Sequence, residues 1–161
     1  MQRYLTVNRL PAMEKSEIEE LIEEQRICRI VFKGKEYPHI AIFQYAYSNN
    51  SLYFHFTDYG TKIELLRRGK RVCVEIEKFG PDLSEFKFAI LRGRLNLVKD
   101  SHEMENVIKK MVKEGKRELS LNFLVAHGFK SDANWDSFRT EKDLKIVKLE
   151  ETEERIGLKS K

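Results

Sequence analysis

The chain has 161 residues, 41% of them hydrophobic and 35% charged, with 8 Gly and 3 Pro. That length buries a core without help from disulfides or metals, and no apolar run reaches the roughly 20 residues of a membrane span. The 30 basic residues exceed the 26 acidic ones by a net +4, but the two signs are mixed along the chain, which argues against a nucleic-acid surface.

The first residues lack the apolar stretch of a secretory leader. The expectation is one cytoplasmic domain over residues 1–161, without a membrane or nucleic-acid partner. Cys28 and Cys73 have no CxxC partner, so no metal site is expected, and both read as small buried thiols.

After a lead-in ending at Pro11, residues 15–25 read as a helix. Ser16 is its cap, Glu19 the box partner, and Ile18, Leu21 and Ile22 its apolar stripe. Residues 28–32, 38–47 and 52–56 read as strands, with a turn at Ser48-Asn49-Asn50-Ser51 making the last two a hairpin. Residues 61–68 form a short helix ended by Gly69. Val72, Val74 and Ile76 alternate with polar residues in a further strand. Residues 86–98 are a long strand whose apolar phase shifts at Gly93, the mark of a bulge or bend.

A helix over 101–113 carries Met104, Val107, Ile108, Met111 and Val112 on one stripe, which is core packing rather than a cofactor box. Residues 118–143 have no clear period. Within them Trp135 suits either a loop anchor or a cover over a ring, and His127 reads as structural. A last strand covers 144–149, and 150–161 read as a charged tail. Hairpins plus one long bent strand indicate a mainly β fold: a small antiparallel barrel with flanking helices.

Chemistry concentrates in His55-Phe56-Thr57-Asp58-Tyr59-Gly60-Thr61-Lys62, where a strand ends, a glycine turns the chain and a helix begins. Amides at a helix start attract anions. Thr57 and Thr61 add hydroxyls, Lys62 adds a full charge and His55 another donor, which together suit a phosphate monoester. The spacing is not that of a Walker loop. The same residues equally suit a plain hairpin exit capped by Thr61, with Lys62 in solvent. Beside this segment, Ile40, Ile42, Phe43, Gln44 and Tyr45 form an extended edge able to lie along a flat heterocycle, or an ordinary core strand. The basic run Arg67-Arg68-Gly69-Lys70-Arg71 reads as a solvated helix end set against the macrodipole.

Taken in order, Tyr37-Pro38, Phe43-Gln44-Tyr45, Leu52-Tyr53-Phe54-His55, Gly60-x-Lys62, Val72-Cys73-Val74 and Ile90-Leu91-Arg92-Gly93-Arg94-Leu95 resemble the flavin-binding split-barrel family. Pyridoxamine 5′-phosphate oxidase and the small nitroimidazole-reductase-like proteins belong to that family. The resemblance spans roughly residues 15–100. It implies a six-stranded antiparallel Greek-key split barrel that pairs as a homodimer, with FMN at the subunit interface. By position, Thr57, Thr61 and Lys62 would hold the phosphate, with His55 and Phe56 beside it. Ile40, Ile42, Phe43, Gln44 and Tyr45 would line the ring, partly through backbone. Ile42 departs from the proline that small members often carry. The implied activity is a flavin-dependent oxidoreductase, taking electrons from a nicotinamide or another reductant and passing hydride to a small acceptor. Catalytic side chains are not named by the pattern. Related split barrels also hold haem or deazaflavin, or hold flavin without turnover.

Overall fold

The structure, a computed structural model, describes residues 9–126, 129–139 and 144–161. Six strands, β1 (Ile27–Phe32), β2 (His39–Ser48), β3 (Ser51–Thr57), β4 (Arg71–Phe79), β5 (Phe86–Leu97) and β6 (Leu144–Lys159), pair antiparallel throughout. They close in the order β1-β2-β3-β6-β5-β4. The fourth strand returns beside the first, which is the Greek-key connection; β2 pairs with β3 only from Tyr45 to Ser48, so its first half keeps an open edge on that side. The fold is therefore the expected mainly β barrel with flanking helices.

Local sequence explains the joints. Asn49 and Asn50 both take positive φ, 50° and 57°, the geometry of a two-residue hairpin whose twist matches its strands. The β5–β6 register shifts between Arg92 and Arg94, whose partners are Glu154 and Glu150, so the extra residues lie on β6 opposite Gly93. The phase change expected in β5 at Gly93 is absent: Ala89, Leu91, Gly93 and Leu95 are buried in unbroken alternation, and the pairing with β4 runs through Gly93 without a shift.

Helix α1 (Lys15–Glu24) plugs one barrel end through Ile18, Leu21 and Ile22, all buried. Its cap sits earlier than the sequence pattern indicated. Glu14 is the N-cap and Glu17 closes the capping box, because a carboxylate serves the first-turn amides as well as the Ser16 hydroxyl would. Helix α2 (Thr61–Arg68) crosses the opposite end on its way from β3 to β4 and buries Ile63, Leu65 and Leu66 there.

Helix α3 (Ser101–Glu118) runs past the expected end at 113, and Asp100, not Ser101, caps it by accepting from the Glu103 amide at 2.6 Å. With α4 (Leu121–Ala126) and a short 3-10 helix (Trp135–Arg139), α3 covers a second apolar core. That core forms on the outward faces of β2, β3 and β6 around Ala46, Tyr53 and Ile146. Trp135 is 4% exposed and stacks on Phe138 with ring centroids 5.7 Å apart. It is thus an anchor for this segment. The neighbouring His127 and Gly128 lie outside the described residues.

The largest departure from the sequence reading is the chain end. Residues 150–159 are not a free tail but the second half of β6, paired with β5 from Arg94–Glu150 down to Lys87–Lys159. Their charges meet the acidic flank of α1: Lys159 pairs with Glu17 at 2.6 Å and Arg155 with Glu19 at 3.9 Å. No helix among the described residues is long and apolar enough to cross a membrane.

Candidate functional site: the corner between β3 and α2

Where β3 ends, the Thr57 hydroxyl donates to the Tyr59 carbonyl at 2.8 Å and shapes a tight exit. Gly60 follows with φ 89° and ψ 177°, a conformation open essentially to glycine alone. A Cβ at Gly60 would meet nothing within 4 Å, so the loop borders open space. Gly60 is the N-cap of α2, and no side chain caps the first turn.

Lys62 does not extend into solvent. Its Nζ lies 4.6 Å from the centroid of the Phe43 ring, the side chain is half-buried, and desolvation holds its pKa below the ordinary 10.5. It has no hydrogen bond or ion pair with any described residue. A half-buried ammonium with no counter-charge, next to uncapped helix amides and open space, fits the phosphate of a monoester ligand.

The residues expected to accompany Lys62 separate into three groups. Ile40 and Ile42 point outward from β2 and are 62% and 51% exposed, available to a flat ligand. Thr57 and Thr61 flank the loop as expected, with Thr61 exposed. The others turn elsewhere. Phe43, Tyr45 and Phe56 point into the barrel core at 1%, 1% and 2% exposure. Only their backbone can reach an outside ligand. The Tyr45 hydroxyl is engaged inside, donating to the Ile22 carbonyl at 2.7 Å, and burial raises its pKa. Gln44 points outward but lies beneath α3, fully buried, donating to the Met111 carbonyl at 3.3 Å. His55 also points outward and is enclosed by Phe138 and Phe129, with ring centroids 4.9 and 6.2 Å away. It belongs to the second core and not to the Lys62 corner. The rule behind these placements is strand alternation.

The sequence reading missed the surface beside this corner. The outward face from β2 through β1, β4 and β5 to β6 carries two cross-strand rows, Ile40–Val31–Cys73–Arg92–Glu154 and Ile42–Arg29–Glu75–Ile90–Ile156. None of these ten residues is buried. Cys73, expected inside, is half-exposed here, whereas Cys28 is a core residue whose thiol pKa burial pushes well up. Arg29 holds Glu75 and Glu77 at 3.0 and 2.6 Å, and Arg92 holds Glu154 at 2.7 Å. The charges of this face are thus largely paired among themselves, and its apolar members are left uncovered.

Comparison with solved structures returns the same barrel. A FAD-binding protein from Mesorhizobium loti aligns with a TM-score of 0.70 at 16% identity, covering 96% of this chain and 100% of that one. A FAD-binding protein from Mycobacterium smegmatis aligns at 0.63 and 15%, over 94% and 100%. The heme storage protein of Vibrio cholerae aligns at 0.64 and 13%, over 90% and 94%. At such identities the likeness is one of fold. No curated protein matches the chain. The family model described as pyridoxamine 5′-phosphate oxidase matches residues 14–127. That span contains β1 to β5, the Lys62 corner and α3, and the chain belongs to the pyridoxamine 5′-phosphate oxidase family.

Proposed function

We propose that this protein binds FMN at the β3–α2 corner, within a homodimer, and acts as a flavin-dependent oxidoreductase on a small acceptor. The observation that carries the reading is Lys62, a half-buried cation seated on Phe43 with no anionic partner among the described residues. Family membership and the likeness to FAD-binding proteins support a flavin. When bound, the flavin supplies the hydride chemistry.

The chain's own residues supply position. Lys62 and the first-turn amides of α2 neutralise the phosphate. The outer edge of β2, with Ile40 and Ile42, gives the ring an apolar bed and backbone groups for its polar rim. The uncovered face next to that edge suits a second copy of the chain. Its apolar residues are interspersed with self-paired charges, which is how homodimer faces avoid burying a lone charge. The second copy would shield the ring from water.

The test is the absorption spectrum of purified protein, with mass spectrometry of whatever denaturation releases. The expected result is an oxidised-flavin spectrum, FMN as the released mass, and bleaching by NADH or NADPH that an acceptor reverses. Colourless protein that ignores added FMN overturns the reading. A second reading, a holding protein without turnover, is favoured by the likeness to the heme storage protein. A Soret band, or bound flavin inert to nicotinamides, selects it.

A further inference from the structure

A cleft of about 410 Å³ opens beside α2, on the flank away from Phe43, where β5 ends and β6 begins. The connection from β3 to β4 carries α2 across the barrel end, so β2 and the seat of Lys62 lie on one side of the helix. The ends of β5 and β6 lie on the other. Lys62 does not line this cleft.

Its walls have two chemistries. Leu97, 49% exposed although it extends a core strand, supplies apolar surface above the buried Leu66 and Leu95. Around them, among the described residues, stand four cations, Arg67, Lys70, Lys99 and Lys145, and one carboxylate, Asp58. Two of the cations touch only neutral oxygens: Lys70 donates to Asn96 Oδ1 at 3.3 Å and Arg67 to the Asp58 carbonyl at 3.4 Å. Lys99 and Lys145 make no hydrogen bond or ion pair with any described residue. By contrast, Arg29, Lys78, Arg92 and Lys159 each hold a carboxylate. Uncompensated positive charge converging on an apolar hollow of ligand size is the composition of a site for an anion with a greasy body.

We infer that this cleft binds a small organic oxyanion, one phosphate or carboxylate carried on an apolar body of about one ring. The oxyanion sits among Lys99, Lys145 and Lys70, and the ring lies on Leu97. The site is separate from the Lys62 corner and does not depend on flavin being bound there.

The experiment is calorimetric titration of the full-length protein, with FMN present in excess to fill the Lys62 corner, using phenyl phosphate, with inorganic phosphate and phenol as controls. Phenyl phosphate should bind one equivalent per chain, about tenfold or more tighter than either control, because only it uses both walls. The double variant Lys99→Gln, Lys145→Gln should weaken it by about tenfold or more, the worth of one charge-assisted hydrogen bond. Leu97→Ser, a change at an exposed position, should also weaken it. Lys62→Gln should leave it unchanged. Equal affinity for inorganic phosphate would reduce the cleft to a charged patch and overturn the inference. So would binding that is lost in Lys62→Gln but kept in the double variant, since the ligand would then occupy the other corner. Unaltered thermal melting of the lysine variants, which change half-exposed or exposed side chains, keeps a loss of binding from being a loss of fold.

Discussion

The ammonium of Lys62 rests on the face of Phe43, 4.6 Å from the ring centroid, although Phe43 itself belongs to the barrel interior. An inward aromatic thus fixes an outward-acting cation. The contact contributes about 0.5–2 kcal/mol and restricts a side chain that otherwise samples many rotamers. If the corner grips a phosphate, Lys62→Met keeps the aliphatic stem and removes only the charge. FMN affinity should fall by about 10- to 100-fold, the scale of a charge-assisted hydrogen bond, while riboflavin, which has no phosphate, binds the variant as it binds the parent. Parallel titrations with the two flavins check this. Equal losses for both would mean that Lys62 supports the ring site through packing rather than through charge.

The same residue sets a pH dependence. Desolvation holds the Lys62 pKa below the ordinary 10.5, so in the free protein the ammonium loses its proton earlier than an exposed lysine does. A phosphate ligand favours the charged form and raises the pKa in the complex. Binding then takes up a proton once the pH passes the free-state value. FMN affinity should therefore begin to fall at a pH below 10.5, and Lys62→Gln should flatten that alkaline limb. On the acid side affinity should rise through about pH 6 as the phosphate takes its second charge, in parent and variant alike. Affinity measured against pH, with riboflavin as the baseline, separates the two limbs.

The uncovered rows on β2, β1, β4, β5 and β6 give an assembly prediction. Ile42 lies opposite Arg29, which already holds Glu75 and Glu77. Ile42→Glu should therefore add a carboxylate with no free partner to the middle of the face. In a dimer that charge is desolvated, whereas in a monomer it stays in water, so the substitution should halve the mass in sedimentation and leave the far-ultraviolet spectrum intact. A parent chain that sediments as a monomer at all concentrations would remove this face from the proposed interface.

How much of this was legible beforehand follows from how many neighbours each strand has. β4 alternates cleanly because only its inner face is dry: Val72, Val74 and Ile76 are buried, whereas the residues between them are not. α2 matched the expected bounds, since the glycines at 60 and 69 and a three-residue apolar stripe bracket it. β2 and β3 gave no such signal. Over Phe43–Ala46 of β2 and Leu52–Phe56 of β3 both faces are buried, one in the barrel and one under α3 and the 3-10 helix, so the apolar run is continuous and its phase cannot be read. Sequence alone therefore does not separate Phe43 and Tyr45 from Ile40 and Ile42, nor His55 from Lys62. The chain end is hidden for another reason. Its glutamates and lysines look solvated until α1, well over a hundred residues earlier in sequence, is placed against it.

Gly157 tests that last placement. A Cβ there would lie 2.7 Å from Ile18 Cγ1 and 2.9 Å from the Met13 Cβ, because α1 and Met13, two residues ahead of it, press onto β6 at this point. The Met13 amide also donates to the Gly157 carbonyl at 2.8 Å. The contact therefore has little room to open without breaking a backbone bond. Gly157→Ala should cost about 1–3 kcal/mol, the range for overpacking a filled core, and lower the melting temperature accordingly. Ile18→Ala removes both Cγ1 and Cδ1, its side-chain atoms that the added Cβ would meet, and should return part of that loss in the double variant, so that the two changes are less than additive. If residues 150–161 were the free tail their composition suggests, Gly157→Ala would be silent. Thermal melts of the two single variants and the double variant decide between a β6 that carries the barrel's closing pair with β5 and one that merely trails from it.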